Sequence, residues 1–430
     1  MNYEQCLHYL DNIQNLGIKF GLDNVRTILG SFENPHLSFP TLLVAGSNGK
    51  GSVCAMLSHI LSAHGFKTGL YTSPHLVHVR ERIRCHHVPI SEKSFSHHLT
   101  RLRNRIEKLI AAKKLLSPPT YFEMLSCLAF VYFEEQRIDM AVLEVGMGGR
   151  FDATNVAEPL VTAITTISRE HQKYLGDTPA QIASEKAGII KSGIPIVCGV
   201  EEAESFETVR SKAGELHAPF VGAFNEGRYL SLIKSGPRHT FSYLFDGHDY
   251  VFTPALRGAH QGRNAAVAIA VSELLGRRWK KLDHGRIIRG LEETRWPGRL
   301  EVISEQPFVL VDGAHNEEGA RALRAYVEGF VPKPLVLIFA VMRDKSIEDL
   351  ANILFPLAER VILTRFPYHK AARPEDVLEK ARGFQHKICL EPDVEKAVNN
   401  ALEAVSAGGT VLAAGSLFLV GELKKLFPDS

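Results

Sequence analysis

The sequence predicts an α/β protein in two parts: a P-loop parallel-sheet domain over 1–296, then a smaller Rossmann-like α/β domain over 297–430. Three observations predict it. Short apolar runs alternate with helical patterns on both sides of residue 296, as in parallel strands joined by crossover helices. The first run, 41–45, enters the glycine-rich stretch Gly46-Ser47-Asn48-Gly49-Lys50-Gly51-Ser52. A chain of 430 residues also exceeds one compact core, so two domains are the default.

The elements follow in order. Residues 1–40 read as a short helix, a break at 17–21, a second helical segment at 22–29 and a loop ending at Pro40. Strand 41–45 is followed by a helix over 50–64, closed by Gly65, and by a strand at 67–71 leading to Thr72-Ser73-Pro74-His75-Leu76. Residues 78–114 are rich in Arg, Lys and His and read as a solvated helical face rather than a nucleic-acid patch; the histidine spacing matches no zinc pattern. A helix over 120–135 precedes the apolar strand 139–145, which ends in Glu144 and glycines. Strand 160–167 delivers Ser168-Arg169-Glu170-His171, and Thr178-Pro179-Ala180-Gln181 is a capping box opening the next helix. After strand 194–200, residues 201–258 are weakly patterned, with short antiparallel strands near 229–233 and 240–245. Residues 261–275 read as helix, and Arg295-Trp296-Pro297-Gly298-Arg299 reads as a junction. Beyond it, strands at 308–312, 335–341, 360–365 and 410–414 alternate with helices at 317–327, 347–358, 374–382 and 394–405.

Composition narrows the function classes. A hydrophobic content of 45% and a charged content of 23% are those of an ordinary globular protein, and a formal net charge of +2 argues against a dedicated nucleic-acid or membrane-surface binder. No apolar run is long enough to cross a bilayer, and the first residues carry no signal-peptide core. The six scattered cysteines suggest reduced thiols and a cytoplasmic protein, expected to be monomeric, with no nucleic-acid or membrane partner.

The glycine-rich stretch carries the first chemistry. Its backbone N–H groups turn inward around a phosphate, and the helix that follows adds its positive end. Lys50 supplies a mobile positive charge, and the Ser52 hydroxyl is placed to reach a magnesium ion. The spacing departs from the usual pattern, because Gly46 lies three positions before Gly49 and Gly51 separates Lys50 from Ser52. Ser73, Glu144 and His171 each follow an apolar strand, so a parallel sheet brings them to the edge that holds this loop. A hydroxyl, a carboxylate and an imidazole can share a divalent ion and leave positions open for water, as Mg²⁺ prefers. Lys186 has two readings: an ordinary surface lysine, which composition favours, or a buried amine able to take up CO₂ as a carbamate.

These motifs, with Glu81-Arg82-Ile83, the stretches 143–155, 182–188 and 260–266, Trp296 to Arg299, 312–316 and 415–417, resemble the folylpolyglutamate synthase/dihydrofolate synthase family over nearly the whole chain. That family belongs to the superfamily of the muramyl amino-acid ligases. The resemblance implies a two-domain ligase whose first domain is of the ATPase type. ATP phosphorylates a carboxylate of dihydropteroate or a reduced folate, and the amine of L-glutamate displaces the phosphate to form an amide. By similarity, Asn48, Gly49, Lys50, Gly51, Ser52, Asn264, Arg299 and Asp312 contact ATP. Ser73, Glu144 and His171 fall on magnesium positions and Lys186 on a carbamylated lysine. Thr120, Tyr121, Phe122, Glu123, Phe151, Asp152 and Ala153 fall on pterin-substrate segments, and His315 and Ser416 on the glutamate site; Lys50, Lys186 and His315 are the catalytic candidates.

Three positions depart from the family pattern: Ser47 for threonine, Glu170 for aspartate, and Ser346 after Asp344-Lys345. Gly21 to Val25 resembles bacterial members that carry both synthase activities, so a bifunctional enzyme is expected. A folylpolyglutamate synthase alone is the first alternative. A muramyl ligase is disfavoured because about fifty residues precede Lys50, too few for an extra domain. A P-loop nucleotide switch that ligates nothing is the rival from outside the ligases.

Overall fold

The computed structural model describes residues 1–14, 21–115, 117–405 and 408–427. The predicted break at 17–21 lies outside the described residues up to residue 20.

Eight strands form the first sheet: β1 Thr41–Ala45, β2 Thr68–Tyr71, β3 Ile83–Cys85, β4 Val88–Pro89, β5 Met140–Glu144, β6 Pro159–Ile164, β7 Ile196–Cys198 and β8 Phe220–Gly222. Their spatial order is β4-β3-β2-β5-β1-β6-β7-β8, parallel from β2 to β8, with β3 and β4 antiparallel at one edge. Both faces are covered, which is why its central strands are apolar without interruption. Leu42 and Val44 pack under helices Lys50–Ala63 and Ala259–Arg278, while Leu43 and Ala45 pack on the other face against helix Tyr121–Glu135.

The next three strands, β9 Tyr229–Lys234, β10 Thr240–Phe245 and β11 His248–Phe252, make a small antiparallel sheet. Phe241, Tyr243 and Phe245 alternate inward along β10 and share a core with helix Ala259–Arg278. Six more strands form the third sheet: β12 Glu301–Glu305, β13 Phe308–Val311, β14 Leu335–Phe339, β15 Arg360–Leu363, β16 Ile388–Leu390 and β17 Thr410–Ala414. Their order is β12-β13-β17-β14-β15-β16, all parallel except β12. Here too the strand faces divide: Leu310 joins one core layer, and Val309 and Val311 the other.

The structure corrects several expectations. Residues 79–89 are not a helical face: they form a short 3₁₀ turn and the β3–β4 hairpin, and only Glu92–Ala111 is α-helical. Arg82 is buried in that turn rather than solvated, and its Nε donates to His75 Nδ1 at 2.9 Å. The weakly patterned region holds an unexpected helix, Ala203–Glu215, whose apolar positions are few and separated by charges. Helices His284–Glu292 and Leu417–Leu426 and the edge strands β12 and β16 were also not anticipated; strands of three to five residues give little alternation to read. Among the described residues, no helix is long and apolar enough to cross a membrane, and the six cysteines are free thiols.

Candidate active site

The carboxyl ends of the adjacent strands β2, β5, β1 and β6 deliver Ser73, Glu144, the glycine-rich loop and the segment ending at His171 to one edge of the sheet. Gly49 precedes helix Lys50–Ala63 at φ 83, a left-handed conformation, and a side chain there would strike the Asn264 amide. Lys50 Nζ donates to the carbonyls of Gly46 at 2.7 Å and Ser47 at 2.9 Å, so the lysine folds over its own loop. Thr165 and Thr166, just past β6, pin the loop from beneath: Thr165 Oγ1 donates to the Asn48 carbonyl at 2.5 Å, and the Asn48 N–H donates to Thr166 Oγ1 at 3.0 Å.

One cleft is lined by Asn48, Gly49, Lys50, Gly51 and Ser52, by Ser73, Glu144 and His171, and by Asn264, Arg299, Asp312 and His315. The first sheet and the loops of the third sheet thus wall the same volume. The two sides also bond directly: Asn48 Nδ2 donates to Glu318 Oε2 at 2.6 Å, and Asn316 Nδ2 donates to Asn48 Oδ1 at 2.8 Å. Asp312 accepts the N–H groups of Leu300 and Ala314, each at 2.8 Å, which fixes the turn carrying His315. Burial pushes the His315 imidazole down to about 4, so it is neutral near pH 7.

Glu144 is 4% exposed; its Oε2 accepts the Ser73 N–H at 3.0 Å. Burial raises its pKa against the pull of Lys50, Arg299 and Arg82. Ser73, Glu144 and His171 line this one cleft, a hydroxyl, a carboxylate and an imidazole, donor types that Mg²⁺ accepts.

Lys186 is 2% exposed, which overturns the surface-lysine reading. It lies behind the cleft, where Nζ meets Glu170 Oε1 at 2.7 Å and the Gly46 carbonyl at 2.9 Å. Burial lowers its pKa to about 8 in spite of Glu170. Ser416 is also behind the wall: its hydroxyl accepts the Phe418 N–H at 3.1 Å as the cap of helix Leu417–Leu426, and Leu417 is the residue that faces the cleft.

A second, more apolar pocket meets the cleft at Ser73, Pro74 and Gly146 and holds every residue of the pterin segments. Two of its carboxylates are already committed. Glu123 accepts the Thr120 N–H at 2.6 Å in a capping box, and Asp152 accepts the N–H groups of Gly146 at 2.9 Å, Met147 at 3.1 Å and Thr154 at 3.0 Å. Both shape the pocket wall. Tyr121 is capped by the Arg82 guanidinium 5.3 Å from its ring centre.

Reading the sequence missed Thr165, Thr166, Gln261 and Glu318. Gln261 is buried, accepts from Asn264 Nδ2 at 2.9 Å and donates to Ser52 Oγ at 3.4 Å. The hydroxyl pair after β6 and the family-like stretch 260–266 were the available signals; Glu318 sits in ordinary helical sequence.

A phosphate loop facing arginine, aspartate and histidine of a second α/β unit defines an ATP-dependent ligase of the Mur type. Residues 44–272 match the Mur ligase middle domain and residues 298–417 the Mur ligase, glutamate ligase domain. The chain is 31% identical over 433 residues to the dihydrofolate synthase/folylpolyglutamate synthase of Bacillus subtilis, covering 98% of each. Folylpolyglutamate synthase of Mycobacterium tuberculosis complexed with ADP superposes with a TM-score of 0.91 at 29% identity, over 99% of this chain and 98% of that one. Escherichia coli FolC in complex with DHPP and ADP gives 0.88 at 26%, over 100% and 98%. The chain belongs to the folylpolyglutamate synthase/dihydrofolate synthase family and is an ATP-dependent acid–amino-acid ligase.

Proposed function

We propose that this enzyme joins L-glutamate to the free carboxylate of both dihydropteroate and reduced folates, through an acyl phosphate. The observation that carries the reading is the cleft itself, where the phosphate loop, the Ser73–Glu144–His171 edge and Arg299, Asp312 and His315 surround one volume beside a pterin-sized pocket. A carboxylate is a poor acylating agent. It becomes one when its oxygen takes the γ-phosphoryl group and ADP leaves. The glutamate amine then attacks the acyl carbon, loses a proton and expels phosphate.

Phosphoryl transfer needs positioning and positive charge more than covalent help. Asn48 to Ser52 hold the phosphates through backbone N–H groups, Lys50 swings from its loop carbonyls to the transferred group, and Asn264, Arg299 and Asp312 hold the nucleotide. Ser73, Glu144 and His171 would hold Mg²⁺, which supplies charge to neutralise the polyphosphate. His315, neutral at working pH, is placed to accept the proton of the incoming amine, and Ser416, as the cap of helix Leu417–Leu426, positions Leu417 at the end of the glutamate site. The buried Lys186 amine, once deprotonated, attacks CO₂ to give a carbamate and a proton, turning a cation into an anionic oxygen donor. Closure of the two units shields the acyl phosphate from water.

The test is ATP turnover to ADP and phosphate, followed with each acid substrate in turn. Turnover is expected only when L-glutamate and either dihydropteroate or tetrahydrofolate are both present. Hydrolysis without either would mark a nucleotide switch, and activity with tetrahydrofolate alone would reduce the enzyme to a folylpolyglutamate synthase.

A further inference from the structure

The indole of Trp296 lies against the phosphate loop at Gly51. Gly51 does not share the left-handed backbone that calls for glycine at Gly46 and Gly49. What leaves no room there is the ring: a Cβ on Gly51 would come to 3.0 Å from Trp296 Nε1 and 3.2 Å from Cζ2, tighter than side chains ordinarily pack. The Arg84 guanidinium sits over the face of the same ring, 5.5 Å from its centre. Arg84 Nε in turn donates to the Glu81 carbonyl at 3.1 Å, in the turn before β3. Arg84 and Trp296 are both half-buried, and neither lines the reaction cleft.

The backbone on either side of the indole is tied down as well. The Arg295 N–H donates to His59 Nε2, on helix Lys50–Ala63, at 3.4 Å. Two residues past the ring, the Gly298 carbonyl accepts the Gly313 N–H at 3.1 Å, at the start of the turn that carries His315. One short segment therefore touches the phosphate loop, the helix behind it and the second α/β unit.

The contact falls among the donors that serve a phosphate. Val53 is the first residue of helix Lys50–Ala63 whose N–H finds a carbonyl within the helix, that of Gly49 at 2.9 Å. The N–H groups of Lys50, Gly51 and Ser52 come before it and have no carbonyl to reach there. Gly51 is the middle one of the three, so a shift of its peptide re-aims the donors on both sides. A glycine has the freest backbone of any residue and no side chain to anchor it, so its setting is left to what packs on it.

We propose that Trp296 is a positioning residue for ATP: clamped by Arg84, its indole holds Gly51 so that the N–H groups of Lys50, Gly51 and Ser52 converge on the phosphates. This rests on the reading of Asn48 to Ser52 as the loop that holds them. Arg84 acts through the ring and touches no phosphate itself.

The experiment is steady-state kinetics of the full-length enzyme, with ATP varied at saturating L-glutamate and acid substrate. Trp296→Ala is expected to raise KM for ATP about tenfold and to leave KM for glutamate unchanged. Trp296→Phe, which keeps a ring beside Gly51, is expected to return it to within about threefold of wild type. Arg84→Ala is expected to raise KM for ATP in the same direction, and to add nothing to Trp296→Ala, because the ring it works through is then gone. A second readout keeps the ring in place. Trp279 and Trp296 are the two tryptophans, and Trp279 packs on Phe66 at 4.8 Å, away from the cleft. In Trp279→Phe, the emission of Trp296 is expected to shift saturably as ADP and magnesium are added, since the phosphates then charge the loop beside it. An unchanged KM for ATP in Trp296→Ala overturns the proposal, as does a Trp296→Phe enzyme as impaired as Trp296→Ala. Independent, multiplying effects of the Arg84 and Trp296 substitutions overturn it too. If Trp296→Ala does not fold, an emission of Trp296 that ADP leaves unmoved overturns it. If Lys50→Ala leaves ADP binding and turnover intact, it is the reading of the loop that fails instead.

Discussion

Glu170 and Lys186 form the one contact in the site where charge, burial and loop geometry meet. Their 2.7 Å pair sits with side-chain exposures of 11% and 2%, and the same ammonium bonds the Gly46 carbonyl of the phosphate loop. Burial raises the Glu170 carboxyl, but Lys50 and Lys186 outweigh it and hold the pKa at about 2, below the ordinary 4.5. A depressed carboxylate stabilises the fold above its unfolded pKa and loses that contribution as pH falls. The stabilisation is thus full above pH 4.5 and disappears toward pH 2, with a ceiling of about 3 kcal/mol. With Lys186 in its unmodified form, in CO₂-free buffer, replacing Glu170 by Gln leaves a buried cation without its anion and is expected to cost about 3 kcal/mol at pH 7. Urea unfolding from pH 7 down to 3 checks both: the gap between variant and wild type narrows as pH falls, and a constant gap overturns the account. At Lys50 the expected effect is kinetic. Lys50→Ala should lose at least about 3 kcal/mol of transition-state stabilisation, as when an oxyanion donor is removed. Near-normal kcat in that variant would remove Lys50 from the chemistry. Residues of this kind were legible where strand ends carry them, as with Ser73 and Glu144. Burial of Lys186 was not, since its apolar neighbours come from segments far away in sequence.

Helix Tyr121–Glu135 begins with polar residues that bond one another at the rim of the apolar pocket. Its start is set by a capping box in which the Glu123 N–H donates to Thr120 Oγ1 at 3.3 Å and the Thr120 N–H donates to Glu123 Oε2 at 2.6 Å. That start places Tyr121 and Phe122 in the pterin-side pocket. Thr120→Ala is expected to cost about 1 kcal/mol of stability and to raise KM for the pterin substrate more than it lowers kcat, because the lost cap loosens the pocket rather than the reacting groups. Thermal melts and steady-state kinetics on one preparation separate the two; a fall in kcat at unchanged KM would contradict it. At this scale the buried parallel strands were the readable part, since burial on both faces writes an apolar run into the sequence. The β3–β4 hairpin was not readable. It is an edge where Arg84, and Arg82 in the turn before it, fold inward onto Trp296 and His75, and charge at an edge looks the same whether it faces water or a ring.

Among the contacts across the seam of the two α/β units, two lie at the cleft. Asn48, in the phosphate loop, is hydrogen-bonded by Asn316 and Glu318 at the start of helix Glu317–Phe330. On the other side of the cleft, helix Leu417–Leu426 lies so close to the loop carrying Ser73 that a side chain at Gly421 would collide with the Leu76 carbonyl. Gly421 therefore fixes how near the second unit comes to the edge holding Ser73 and Glu144. Gly421→Ala must move either that loop or the helix, and a displacement of about 1 Å at reacting groups is enough to lower the rate about a hundredfold. The expected result is a kcat reduced by one to two orders of magnitude while each unit stays folded, because Leu419 and Leu423 keep their places in the core of the third sheet. Gly329→Ala is the control: it lies near the end of helix Glu317–Phe330 with open space around its position. Kinetics and small-angle scattering on both variants decide the matter. A Gly421→Ala enzyme as active and as compact as the Gly329→Ala control would mean that the register of the two units is held elsewhere, and the bonds of Asn48 to Asn316 and Glu318 would become the next contacts to cut.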